Sequence, residues 1–256
     1  MRGLSWLTER PVAHRGLHDR GAGRIENSRS AIQAAIDRNF AIEVDLQMAG
    51  DCVPMVFHDA SLDRLTFETG RVRDWPSGAL KQLVLSGSTD TIPTFADLLT
   101  MVAGSVPIVV ELKPHGSRNA DLAASVATDL QGYSGPVALM SFDPDLVSEI
   151  ARSAPNVPRG IVADATPEPV PWSGVSTMER FGLRHLLHIP RTRPHFIAYD
   201  CQALPAAGPF LWSLLLGLPV LTWTVRGHAE MNRVGRWTNQ IIFEGFDPDA
   251  PPARNS

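Results

Sequence analysis

Residues 40–58 read FAIEVDLQMAGDCVPMVFH and contain two apolar runs that a short turn separates. The first run, 40–46, is almost continuously apolar, as expected of a strand covered on both faces of a parallel sheet. The second run, 53–58, begins too soon for a parallel crossover, which needs roughly a dozen residues or more. We therefore predict that it returns antiparallel through a hairpin turn near residues 49–51.

Apolar, β-branched runs recur along the chain, with amphipathic stretches between most of them. The predicted strands are residues 11–14, 40–46, 106–112, 136–141, 159–163, 195–199, 219–225 and 239–244. Helix starts are indicated by Ser28, by Thr94 with Asp97, and by Asp143 followed by a proline. This alternation predicts an α/β fold, a (β/α)8 TIM-type barrel with an antiparallel hairpin return after the second strand.

The chain is long enough for one large domain, and we predict a single barrel domain over residues 1–256. A short insertion is expected at about residues 59–91, as a loose polar connection. Residues 164–174 contain three prolines and follow the fifth predicted strand. That stretch is expected either to line the mouth of the barrel or to be an ordinary surface loop.

Composition restricts the partners and the compartment. The net charge of −4 gives no reason to expect a nucleic-acid partner. The longest apolar stretch, 210–225, is interrupted by Gly217 and Pro219, so no membrane span is predicted. The N-terminus lacks the apolar segment of a secretory signal, and Cys52 and Cys201 are the only cysteines. We predict a cytoplasmic protein, and its oligomeric state stays open.

Five short polar motifs lie at the ends of predicted strands or at the start of a predicted helix. They are His14-Arg15-Gly16, Glu26-Asn27-Ser28, Glu43-x-Asp45, His58-Asp59 and Glu111-x-Lys113. Four of them end a strand-like run, and the one that begins with Glu26 opens a helix. A hairpin turn centred on Gly50 would bring His58 back beside Ile42 or Glu43. Because parallel barrel strands end at one mouth, these four motifs are predicted to meet there.

The three carboxylates of these motifs predict a metal site. Glu43 and Asp45 are two residues apart on one strand and point to the same side, and Glu111 ends the adjacent strand. An all-oxygen set without a nearby cysteine suits Mg²⁺ or Ca²⁺ rather than Zn²⁺. The alternative is a pair of exposed charges on an edge strand. It is disfavoured because the strand is apolar, and buried carboxylates without a cation are costly.

The remaining motif residues fit acid–base chemistry on a phosphodiester. A lone histidine at a strand end is more often structural, but His14 and His58 converge on the carboxylates, which favours acid–base roles. Arg15 and Lys113 offer permanent positive charge to phosphoryl oxygens, or they only balance the carboxylates. Asn27 either orients a hydroxyl group or begins the first helix.

Together these residues resemble the glycerophosphodiester phosphodiesterase family. That family is marked by His-Arg-Gly, Glu-Asn-Ser/Thr, Glu-x-Asp, His-Asp and Glu-x-Lys. Further family-like features are Ile92-Pro93-Thr94, Ser141-Phe142 and Trp223-Thr224-Val225. The resemblance covers about residues 11–248.

The resemblance implies a metal-dependent hydrolase that releases an alcohol and sn-glycerol 3-phosphate from small glycerophosphodiesters. It implies that His14 and His58 exchange protons while a glycerol hydroxyl attacks phosphorus, and that water then opens the cyclic phosphate. It also implies a substrate-binding role for Trp223. Two other functions remain open: a phospholipase-type enzyme acting on intact lipids, and a non-catalytic barrel that binds phosphodiesters.

Two positions depart from the family pattern. Arg226 stands where the family usually has Asn, and Phe243-Glu244 stands where it usually has Thr-Asp. Both are expected to lie outside the set of metal ligands and histidines. Arg226 is expected either to grip a second anionic group of the substrate, as in glycerophosphoserine or glycerophosphoinositol, or to pair with a nearby carboxylate.

Overall fold

Eight parallel strands close into a barrel, and one further strand pairs with it antiparallel. The computed structural model describes residues 4–164 and 177–251. The strands are β1 (Val12–Ala13), β2 (Ala41–Met48), β3 (Pro54–Val56), β4 (Ile108–Leu112), β5 (Val137–Ser141), β6 (Arg159–Ala163), β7 (Phe196–Asp200), β8 (Val220–Val225) and β9 (Gln240–Phe243). β1 pairs with both β9 and β2, which closes the barrel. The predicted TIM-type barrel is confirmed.

Helices surround the strands. They are α1 (Trp6–Glu9), α2 (Arg29–Asp37), α3 (Ser77–Leu80), α4 (Phe95–Val102), α5 (Asn119–Asp129), α6 (Pro144–Ser153), α7 (Thr177–Arg184), α8 (Ile189–Thr192), α9 (Ala207–Leu216) and α10 (His228–Val234). The predicted caps are confirmed: Thr94 forms a reciprocal capping box with Asp97, and Ser28 and Asp143 accept bonds from the first turns of α2 and α6. Across both described ranges, every helix is too short or too polar to cross a membrane.

Alternate strand residues form two separate cores. Val12 and Val109 belong to the cluster inside the barrel, which Leu7 of α1 joins. Ile42 belongs to the outer cluster, where it packs with helix residues such as Ile32. Each strand is therefore apolar on both faces, which explains the continuous apolar runs in the sequence.

Gly160 on β6 makes room for a large side chain of the inner core. A Cβ atom at this position would lie 2.3 Å from the ring of the fully buried Phe196. We expect Gly160→Ala to lower the free energy of unfolding by about 1–3 kcal/mol, the usual cost of overpacking a core. Urea denaturation measures this. Gly78→Ala is the control, because no atom lies within 4 Å of the added methyl group; equal losses in both variants would contradict the packing argument.

The hairpin between β2 and β3 is present, but its predicted register is wrong. Leu46 lies opposite Val56, and Phe57 donates its amide hydrogen to the Asp45 carbonyl oxygen at 2.9 Å. Continuing this register puts His58 at the level of residue 44, not at 42 or 43. The turn is centred one residue later than predicted, near Asp51, and Cys52 within it adopts a left-handed conformation, with φ 65°.

The segment 59–91 is not the loose polar connection that was expected. It contains α3 and a 3-10 helix at Val72–Asp74. Leu62, Leu65 and Val72 are buried in a third apolar cluster with Phe57. This cluster packs the segment against Phe57, so His58 and Asp59 directly follow a buried part of the chain. Of the proline-containing stretch 164–174, only residue 164 lies within the described residues.

Candidate active site

The ends of β2 and β4 bring three carboxylates together at the mouth of the barrel. Asp45 and Glu111 are register partners on the neighbouring strands, and Glu43 lies two residues before Asp45 on the same face. One carboxylate oxygen from each residue lies within 4.8 Å of the others. All three residues are buried. The set predicted as metal ligands therefore forms one compact cluster.

Burial and mutual repulsion make this cluster electrostatically unfavourable without a cation. Burial, together with the charges of Asp45 and Glu111, raises the pKa of Glu43 well above its usual value. Burial also raises the pKa of Glu111. Burial acts in the same direction on Asp45, but Lys113, His58 and Arg15 together outweigh it and lower the Asp45 pKa. The neighbouring cations therefore do not fully offset the cost of burying three carboxylates together.

Two cationic side chains approach the carboxylates from different sides. Lys113 Nζ lies 2.8 Å from Asp45 Oδ1 and 2.5 Å from Glu111 Oε1. Burial lowers the pKa of Lys113, but these two carboxylates outweigh it and raise the pKa. Arg15 Nε lies 3.3 Å from Asp45 Oδ2, and the Arg15 backbone amide donates to Glu43 Oε2 at 3.0 Å. Both cations offset part of the negative charge of the three carboxylates and lie directly beside them.

The turn after β1 gives Arg15 this position. Arg15 and Gly16 both have positive φ angles, 54° and 78°. A side chain at position 16 would contact the Ala31 backbone at 2.9 Å, so only glycine fits there. The Arg15 guanidinium is also held by Glu26, whose Oε1 accepts a bond from Nη1 at 2.6 Å. The geometry of the turn is therefore set by the His-Arg-Gly sequence itself.

Asn27 holds a metal-ligand candidate rather than beginning a helix. Its Nδ2 donates to Asp45 Oδ2 at 3.0 Å, and its Oδ1 accepts from the Asp45 backbone amide at 3.3 Å. The side chain is buried, with a backbone φ of 60°. The helix cap is the next residue, Ser28. Of the two roles considered for Asn27, the helix start is wrong, and these contacts fix the Asp45 carboxylate.

Both histidines lie near the carboxylate cluster, and each has a carboxylate partner on Nδ1. His14 Nε2 lies 3.9 Å from Glu43 Oε2, while its Nδ1 lies 2.6 Å from Glu244 Oε2. His58 Nδ1 lies 2.6 Å from Asp59 Oδ1. Burial lowers the pKa of His14, against the opposing effect of Glu244. A carboxylate on Nδ1 leaves Nε2 of each ring available for proton transfer.

Sequence reasoning missed the residues that support the histidines and Arg15. Arg64 lies in the segment 59–91 and donates to both Asp59, at 2.6 Å from Nε, and Glu26, at 2.8 Å from Nη1. These bonds and Arg15 overcome the effect of burial and hold the pKa of Glu26 at about 2. Asp59 and Glu26 stood within quoted motifs without an assigned role. Nothing in the local sequence marked Arg64.

Positions 226 and 244, which depart from the family pattern, lie next to His14. Glu244 contacts His14, and Arg226 Nε donates to Glu244 Oε1 at 2.8 Å. Arg226 therefore pairs with a nearby carboxylate, as one of its two expected roles required. Trp223 lies on the inner side of β8, with its ring edge-on to Phe142 at 5.4 Å between centroids.

Trp223 also has an unused hydrogen-bond donor. Its indole Nε1 is buried and has no hydrogen-bond partner among the described residues. A buried indole N–H normally has a partner, and its absence here fits a donor that serves a ligand at the mouth.

The chain matches proteins of one family in both sequence and fold. It is 25% identical over 216 residues to glycerophosphodiester phosphodiesterase 1 of Bos taurus, covering 79% of this chain and 59% of that protein. It is 24% identical over 173 residues to the Homo sapiens protein of the same name, covering 63% of this chain and 49% of that protein. The chain spans about half the length of the curated relatives it matches.

Two solved structures share the fold. A phosphodiesterase of Oleispira antarctica, solved in complex with the product sn-glycerol-3-phosphate, superimposes with a TM-score of 0.77 at 19% identity, covering 93% of each chain. A glycerophosphodiester phosphodiesterase of Parabacteroides distasonis gives 0.72 at 20% identity, covering 91% of this chain and 92% of that one. The model of the glycerophosphoryl diester phosphodiesterase family matches residues 14–246. With His14 at its start and Glu244 near its end, the whole site lies inside that match, and the chain belongs to this family.

Proposed function

We propose that this protein hydrolyses glycerophosphodiesters to an alcohol and sn-glycerol 3-phosphate, with a divalent cation held by Glu43, Asp45 and Glu111. The observation that carries the proposal is that three buried carboxylates and two Nδ1-anchored imidazoles meet at the mouth of a barrel of this family. The product bound to the Oleispira antarctica phosphodiesterase supports this substrate class. Every contributing side chain comes from the barrel or from the segment 59–91, so we treat the chain as one catalytic domain.

The residues present fit a hard divalent cation. Glu43, Asp45 and Glu111 offer only oxygen atoms, and these lie close enough to share one ion. A second group, His14, His18 and Glu244, has the same compactness but a poorer fit. There Glu244 already bonds His14 on one oxygen and Arg226 on the other. We therefore assign Mg²⁺ or Ca²⁺ to the carboxylate cluster.

The chain's own residues can then carry the proton transfers. A bound divalent cation would neutralise negative charge on the phosphoryl oxygens. One imidazole takes the proton of the attacking glycerol hydroxyl, and the other gives a proton to the departing alcohol oxygen. The glycerol oxygen bonds to phosphorus as the P–O bond to the alcohol breaks, which leaves a cyclic phosphate. The two rings then exchange roles: one takes a proton from water as it attacks phosphorus, and the other gives a proton to the glycerol oxygen that is released. Arg15 and Lys113 stand beside the cluster to bind phosphoryl oxygens, and Trp223 faces the alcohol.

The test is a panel of substrates with the metal-loaded protein. We expect release of sn-glycerol 3-phosphate from glycerophosphodiesters such as glycerophosphocholine, glycerophosphoethanolamine and glycerophosphoserine, measured by a coupled dehydrogenase assay. Intact phosphatidylcholine and sphingomyelin should give at least roughly a hundredfold lower kcat/KM, because the site recognises a free glycerol hydroxyl. Turnover of the intact lipids alone would favour the phospholipase alternative. Binding of glycerophosphodiesters without turnover would favour the non-catalytic barrel.

A further inference from the structure

Resting on the proposed function, we propose that Arg226 and Glu244 form a positioning pair for His14. Glu244 receives the Nδ1 hydrogen of His14, and Arg226 acts through Glu244 by fixing its carboxylate. Neither residue needs to touch the substrate. The pair joins the two positions that depart from the family pattern into one unit.

The barrel places these three residues side by side. β9 lies between β1 and β8, and each of the three residues follows one of these strands. The His14 amide donates to the Phe243 carbonyl oxygen at 2.9 Å, and the Glu244 amide donates to the Val225 carbonyl oxygen at 3.0 Å. The peptide group that joins Phe243 to Glu244 is therefore hydrogen-bonded to the chain on both of its sides. The side-chain contacts rest on strand pairing, not on a free loop.

The Glu244 carboxylate bridges the two partners with different oxygen atoms. Oε2 lies 2.6 Å from His14 Nδ1, and Oε1 accepts from Arg226 Nε at 2.8 Å. His18 Nε2 lies 3.5 Å from the same Oε2 and is a competing partner for it. Arg226 on Oε1 holds the carboxylate plane so that Oε2 stays directed at His14. Glutamate has one more rotatable bond than aspartate, so it gains more from such a constraint.

This geometry sets the hydrogen on Nδ1 of His14 and the lone pair on Nε2. Nε2 is the nitrogen that faces the carboxylate cluster, 3.9 Å from Glu43 Oε2. A carboxylate on the far nitrogen fixes both the tautomer and the ring orientation of a histidine. Arg226 is itself held, because its backbone amide donates to Glu230 Oε2 at 2.9 Å. The pair thus prepares His14 to accept a proton at Nε2.

A set of variants separates positioning from substrate binding. In the metal-loaded protein we expect Glu244→Gln to lower kcat roughly tenfold to a hundredfold with KM nearly unchanged, as for other supports of functional histidines. Glu244→Asp, which keeps the carboxylate, should retain more activity than Glu244→Gln. Arg226→Ala should lower kcat roughly threefold to tenfold, and Arg226→Lys less. The double variant Arg226→Ala/Glu244→Gln should be no slower than Glu244→Gln alone, because Arg226 acts only through Glu244.

Two further measurements make the test independent of any single rate. The ratio of kcat/KM for glycerophosphoserine over glycerophosphocholine should stay unchanged in Arg226→Ala. The ¹⁵N chemical shifts of the His14 ring, assigned against His14→Ala, should report the Nδ1–H tautomer in the wild type and a mixture in Glu244→Gln. Arg236→Ala, at another exposed arginine, is the control and should match the wild type.

Several outcomes would overturn the positioning pair. A changed substrate ratio at constant kcat would make Arg226 a substrate contact instead. Losses that multiply in the double variant would show that Arg226 and Glu244 act independently. A wild-type protein without any phosphodiester turnover would remove the proposed function, whereas the tautomer measurement would still decide whether the pair orients His14.

Discussion

Excess EDTA followed by dialysis is expected to abolish turnover, and added Mg²⁺ or Ca²⁺ to restore it. Three buried carboxylates face two cationic side chains, Arg15 and Lys113, so the cluster carries a net negative charge when all three carboxylates are ionised. A monoanionic phosphodiester would be repelled from that charge unless a divalent cation reversed it. Loss of the metal should therefore remove both substrate binding and catalysis.

The pKa of Glu43 gives this prediction a pH dependence. Burial and the neighbouring carboxylates raise that pKa, so Glu43 binds a proton more readily than an ordinary glutamate. A carboxylate must lose its proton to bind a metal. Metal affinity should consequently fall as the pH is lowered through the raised pKa of Glu43, and rise again above it. Isothermal titration with Ca²⁺ at several pH values measures the affinity directly.

Glu43→Gln tests the ligand assignment. It keeps the size of the side chain, so the fold should survive, while metal affinity should drop by at least roughly tenfold. At a Ca²⁺ concentration about tenfold above the wild-type dissociation constant, the melting temperature of the wild type should rise distinctly more than that of this variant, since only the native state binds the ion. Glu68→Gln, at an exposed glutamate, is the control. Undiminished activity of the wild type in EDTA would contradict the metal assignment.

The barrel could be predicted because its strands are buried on both faces. Runs such as residues 106–112 and 136–141 do not alternate between polar and apolar residues, which is typical of parallel strands covered by helices. The hairpin followed from connection length, but its register did not, because connection length alone does not determine at which residue the turn is centred. The core of segment 59–91 was missed because Leu62, Leu65 and Leu80 are spaced irregularly among polar residues.

The candidate site also has parts that could be predicted from the sequence and parts that could not. Glu43, Asp45 and Glu111 could be grouped because strand direction alone brings neighbouring strand ends together. The contact of Glu244 with His14 joins residues 230 positions apart and depends on closure of the barrel between its last and first strands. The bonds of Arg64 depend on how a packed insertion folds back over Glu26. No local pattern encodes such contacts.

His14→Ala and His58→Ala are each expected to lower kcat by roughly two to four orders of magnitude, the span usual for a positioned acid or base. The double variant should lose much less than the product of the two, because both rings serve one proton relay. KM should change little, since Arg15, Lys113 and the metal ligands remain in place.

Rates are measured in a stopped assay at saturating substrate. The Ca²⁺ affinity of each variant is measured in parallel, so that loss of metal is distinguished from loss of proton transfer. His228→Ala is the matched control, because its ring packs on Phe246 and belongs to neither motif. A single variant that keeps more than about a tenth of the wild-type kcat would make that histidine structural. The carboxylates on Nδ1, Glu244 for His14 and Asp59 for His58, argue against that result. An imidazole that only filled space would not need a carboxylate on Nδ1 to fix its tautomer.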